Sequence, residues 1–161
     1  MTAASGVLDA LWSGIVATLA ADLWQRLLQG LAGLPPAPWG LVGRWIALMP
    51  RGVFAHRSIA AAPPAPGERA LGWAFHYGVG VVYAALYLAL LRWFAAPPTL
   101  SSAVLFSLAM LVAPWLVMQP ALGLGVFATR APRPNVTRAV TVTTHAAFGI
   151  GLFVGAVTSP S

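Results

Sequence analysis

An all-α membrane protein of four transmembrane helices in a bundle is the fold class the sequence predicts, on three observations. Of 161 residues, 59% are hydrophobic and 7% charged, whereas a water-soluble domain carries about 25% charged residues to hydrate its surface. The mean hydropathy is +0.80, so lipid must be part of the solvent. Apolar stretches of roughly 20 residues, the length that crosses a hydrocarbon core, recur along the chain at about 6–28, 70–94, 100–118 and 137–157. With their connections they use up the length, so residues 1–161 are expected to form a single membrane domain.

The first stretch runs from Gly6 to Leu28 and is interrupted by Asp9 and Asp22. Ala17, Ala20 and Ala21 resemble cleavage-site residues, but a signal peptide needs a basic segment before its apolar run. Here the first basic residue is Arg26, so a retained helix is expected. The connection at about 30–69 opens with Pro35-Pro-Ala-Pro38 and closes with Pro63-Pro-Ala-Pro-Gly-Glu68. Between them Leu41, Val42, Trp45, Ile46, Leu48 and Met49 make an apolar segment broken by Arg44. It is too short to span a bilayer and fits an interfacial or re-entrant segment. The second span carries Trp73, His76 and Tyr77 near its start. The third contains Pro114 and is followed by Pro120, which predicts a kink near its end. The fourth carries His145 and a Gly151/Gly155 pair at GxxxG spacing.

Orientation follows from the basic residues, all nine of which are Arg. Arg26, Arg44, Arg51, Arg57 and Arg69 flank or occupy the first connection, and Arg130, Arg133 and Arg138 the third. The second holds only Arg92. By the positive-inside rule the first and third connections face the cytoplasm and both termini lie outside. Asn135-Val-Thr137 then falls on the cytoplasmic side and is no glycosylation site. Arg without Lys, with abundant Ala, Gly and Pro, is the composition of a GC-rich bacterial genome, so the bacterial inner membrane is the expected location. The net charge of +6 then reflects orientation and contact with anionic lipid headgroups, and nucleic acid is not an expected partner. The absence of cysteine excludes disulfides, thiolate metal sites and cysteine nucleophiles.

Ionisable groups inside a membrane are expensive and face a bundle interior or a water-filled cavity. Asp22 lies one turn before Arg26, roughly 6 Å inside the cytoplasmic end of its helix. By the same rise His76 and His145 lie about 9 and 10 Å deep, and Gln119 closes the third span on that side. A polar intramembrane site of Asp22, His76, Gln119 and His145 would serve transport, ion or proton handling, or ligand sensing. Alternatively, His76 and His145 ligate a transition metal or haem iron, although no HxxxH or HxxE spacing is present. A third reading is that the polar residues only hold helices together in a structural or assembly partner. Asp22 also has Arg26 at i+4 as a natural ion pair.

Arg51, His56 and Arg57 form the basic part of the first connection and suit an anion or lipid-headgroup contact. Glu68 precedes the second span, where it complements the helix N-terminus. Gly151 and Gly155 read as a helix-packing contact, within the bundle or between subunits of a homo-oligomer. No G-x-S-x-G, Walker loop or GxGxxG occurs, and paired acids are absent, so a non-enzymatic protein with no catalytic residue is expected.

A series of short motifs then falls in order. Gly43-Arg-Trp45, Met49-Pro-Arg-Gly52, His56, Ser58-Ile-Ala60, Pro64-x-Pro-Gly-Glu68, Gly72-Trp73 and His76-Tyr77 come first. Pro114-Trp115, Met118-Gln-Pro120, Gly123-x-Gly125, Pro132-x-Pro-Asn135, His145 and Phe148-Gly149 follow. This pattern resembles the bacterial domain-of-unknown-function 2938 family. The resemblance implies an inner-membrane protein of roughly four spans and supplies no activity, ligand or catalytic residue.

Overall fold

In the computed structural model, which describes residues 3–160, the chain is 75% helical, with no strand among the described residues. Among the described residues, six α-helices follow in order. They are α1 (Ala3–Ala32), α2 (Trp39–Leu48), α3 (Glu68–Trp93), α4 (Leu100–Ala109), α5 (Gln119–Ala121) and α6 (Pro134–Val157). Among the described residues, four stretches are long and apolar enough to cross a membrane: Ser5–Ala32, Glu68–Trp93, Leu100–Ala121 and Pro134–Val157.

Local chemistry sets the helix ends. Gly33 takes a left-handed φ of 63° after α1, and Pro35 and Pro36 follow. Thr99 starts α4 with a capping box: its hydroxyl accepts from the Ser102 N–H at 3.1 Å, and the Ser102 hydroxyl from the Thr99 N–H at 3.2 Å. Pro134 takes the first position of α6, where its missing N–H costs nothing. The third long apolar stretch is interrupted ahead of its proline. Pro114 has no N–H for the Met110 carbonyl, so α4 ends at Ala109 and a π-turn covers Pro114–Met118.

The chain divides into two compact units. Of the described residues, the first comprises 3–36, 77–110 and 142–160. Its core is Ala17, Ala21, Ala84, Tyr87, Ala103, Phe148 and Leu152. Small residues let the helices approach: a Cβ on Gly151 would lie 2.8 Å from the Ala17 Cα, and one on Gly155 2.6 Å from the Ser13 Cα. The Gly151/Gly155 pair therefore packs on α1. A Cβ on Gly80 of α3 would collide with the Thr18 hydroxyl, and that hydroxyl donates to the Gly14 carbonyl at 2.7 Å. Burial in α1 is inverted relative to a water-soluble helix. Ser13, Thr18 and Gln25 are buried, whereas Leu8, Ile15, Leu19 and Leu23 are exposed.

The second unit comprises residues 37–76 and 111–141. Its core gathers Val42, Trp45, Ile59, Ala121 and Leu122. α2 lies against the first turns of α3 through two glycines. A Cβ on Gly43 would strike the Glu68 carbonyl, and one on Gly72 the Trp39 carbonyl.

Candidate functional site

In the first unit, Asp22 has a partner on another helix: its Oδ2 accepts from the Tyr77 hydroxyl at 3.1 Å. The backbone carbonyl of His145, on α6, accepts from the Ser107 hydroxyl of α4 at 2.6 Å. These contacts tie helices of this unit by hydrogen bonds, as side-chain hydroxyls do between apolar helices.

In the second unit, the His76 ring stacks on Trp39 with centroids 3.8 Å apart and planes at 20°, and meets Trp73 edge-on at 5.7 Å. Gln119 is 4% exposed, and its Oε1 has no hydrogen-bond partner. Of the four polar residues singled out in the sequence, Asp22 and His145 belong to one unit and His76 and Gln119 to the other. No group of three or more His, Cys, Asp or Glu able to hold a metal ion forms among the described residues.

Arg51, His56 and Arg57 belong to the unit that holds Gln119. Arg51 and Arg57 are exposed, while His56 is half-buried and its Nε2 has no hydrogen-bond partner. Their loop is laced to the chain that follows Gln119. The His56 N–H donates to the Ala121 carbonyl at 2.8 Å and the Ile59 N–H to the Leu122 carbonyl at 3.1 Å. Gly123, at φ 91°, permits this approach, because a Cβ there would strike the Arg57 carbonyl. The Gln119 segment leaves the π-turn, and the Gln119 N–H reaches back to the Pro114 carbonyl. Further on, Phe127 and Ala128 hold left-handed φ values of 51° and 55°, conformations that non-glycine residues adopt only where the surroundings enforce them. The Phe127 ring lies 5.1 Å from that of Trp115, and its carbonyl accepts from Arg138 Nε at 2.8 Å.

The sequence reading missed the ion pair that braces this loop from behind. Arg44 is buried and bidentate to Glu68, with Nε to Oε2 at 2.7 Å and Nη2 to Oε1 at 2.8 Å. Its Nη1 donates to the Ala62 carbonyl at 2.7 Å, and the Ala65 N–H donates to Glu68 Oε2 at 2.8 Å. Hydrogen bonding to Glu68 raises the Arg44 pKa above its ordinary value. The pertinent signal in the sequence was a lone Arg inside an apolar segment, an expensive placement without a partner.

These features define an all-α protein with helices sized for a membrane and a loop-and-turn assembly that buries unpaired polar atoms. Residues 11–159 match the family described as Protein of unknown function (DUF2938), and the chain belongs to it. Neither a curated protein nor a solved structure matches the chain.

Proposed function

We propose that this chain is a non-enzymatic, single-domain helical bundle of the bacterial inner membrane that binds a phosphate-bearing, hydroxyl-bearing ligand at the cytoplasmic end of its third span. The observation that carries the reading is Gln119, a nearly fully buried amide whose Oε1 has no partner. Leaving a buried acceptor unpaired costs about 1–3 kcal/mol, a cost that a ligand hydroxyl donating to Oε1 removes. His56 Nε2, likewise unpaired, is a second contact, and Arg51 and Arg57 on the same loop supply charge-assisted bonds to an oxyanion. A glycerophosphate, free or as a lipid headgroup, has this combination of groups.

The membrane reading is supported by the four apolar helices and by the exposed Leu and Ile of α1. The distribution of Arg argues for cytoplasmic first and third connections and outer termini. Lying on the surface or entering it, α2 brings Trp39 and Trp45 to the headgroup level.

The test is a titration of detergent-purified protein with glycerol 3-phosphate and, separately, with phosphatidylglycerol in mixed micelles. Wild type binds at least one of them. Gln119→Leu and Arg57→Gln weaken that binding about tenfold, the worth of one charge-assisted or buried hydrogen bond. Binding that is unchanged in both variants, or absent from wild type, overturns the proposal.

A further inference from the structure

Asp9, early in α1, takes no part in the site above. Its side chain is 7% exposed, and a buried carboxylate persists only when it is paired. One oxygen accepts from the Ser159 hydroxyl, and the other lies 3.6 Å from Arg92 Nη2. That separation is an ion pair longer than a direct hydrogen bond. The Arg92 side chain is 49% exposed. Beside the pair opens a cavity of about 320 Å³, lined by these three residues and by aliphatic walls that include Leu88, Leu91 and Pro98. Arg92 sits in the last turn of α3. Ala95 ends that helix in a left-handed conformation at φ 47°, a position usually given to glycine.

We infer that this cavity binds a small zwitterion, its ammonium at Asp9, its oxyanion at Arg92, and its aliphatic part along the leucine and proline walls. The argument is charge balance in an apolar setting. A purely anionic ligand meets Asp9, and a purely cationic one meets Arg92, so either leaves one charge poorly compensated as water is excluded. A zwitterion matches both. The volume is at the low end for ligand pockets, which suits a headgroup or an amino acid rather than a large metabolite. Two sources share this chemistry, the phosphoethanolamine headgroup of a membrane lipid and a free aliphatic amino acid.

The experiment uses the full chain in detergent. Native mass spectrometry follows retention of phosphatidylethanolamine against phosphatidylglycerol at equal concentration, and calorimetry follows L-leucine. Wild type retains the zwitterionic lipid in preference to the anionic one, which assigns the headgroup, or binds leucine, which assigns the amino acid. Arg92→Gln and Asp9→Asn each weaken the binding about tenfold. Ala96→Trp, at the exposed rim, keeps both charges but fills the space and abolishes it, which covers the case in which loss of Asp9 prevents folding. Gln119→Leu removes the proposed phosphate site but keeps the zwitterion binding, so the lipid comparison is read in that protein and the two sites fail separately. A Gln119→Leu protein, in which the phosphate site is removed, that shows no preference between the lipids and no leucine binding overturns the inference, as do Arg92→Gln and Ala96→Trp proteins that bind like wild type.

Discussion

Glu68 stands at the first residue of α3, where the sequence reading has it complement the helix N-terminus, yet its two oxygens are engaged by Arg44 and the Ala65 N–H. Arg44 and Glu68 act as a unit. Removing one partner strands the other charge, whereas removing both does not. Arg44→Leu or Glu68→Leu alone therefore lowers the melting temperature in detergent more than the Arg44→Leu/Glu68→Leu double substitution does. Melting temperatures that simply add would show the pair is not coupled. Gln119 is the opposite case, a polar group that works against stability. Replacing it with Leu removes the unpaired acceptor at similar volume and raises stability by about 1–2 kcal/mol even as binding falls. A Gln119→Leu protein that unfolds more easily would instead make the amide a structural element.

At the scale of elements, small residues decide how closely helices pack. Gly78 and Gly80 lie two residues apart on α3 and face different surroundings. Nothing lies within 4 Å of a Cβ on Gly78, but a Cβ on Gly80 would collide with the Thr18 hydroxyl. Gly78→Ala is expected to stabilise by about 0.5–1 kcal/mol through helix propensity. Gly80→Ala is expected to destabilise by about 1–3 kcal/mol through overpacking. Unfolding in mixed micelles measures both, and equal effects would mean that α1 and α3 do not meet at this point. The π-turn is also an element-scale feature. The sequence places a kink near the end of the third span, but the helix breaks ahead of Pro114, because the carbonyl four residues upstream is the group that loses its donor.

For the molecule as a whole, the prediction concerns orientation. The chain has no cysteine, so single-cysteine labelling reads each connection without background. A membrane-impermeant maleimide applied to intact cells should modify Pro97→Cys, in the second connection, and reach Val53→Cys, in the first, only after permeabilisation. The reverse pattern would invert the assignment and put the Gln119 site outside the cytoplasm.

Composition and the lengths of the apolar runs are properties of neighbouring residues, and they suffice for the all-helical character and the four helices able to cross a membrane, while the ordered short motifs carry the family. Those same properties say nothing about which side chain on one helix meets which on another. That depends on rotation about each helix axis and on contacts far apart in the chain. Asp22 and Arg26 are neighbours by spacing, but the contact between Asp22 and Tyr77 is set by packing. Similarly, His76 lies flat on Trp39, and Arg44 closes on Glu68 across a span of 24 residues. The unpaired oxygen of Gln119 appears only once every neighbouring donor is in position. A sequence names polar residues in an apolar chain, but only the tertiary structure decides which of them are already satisfied, because satisfaction requires a donor within about 3 Å and in line.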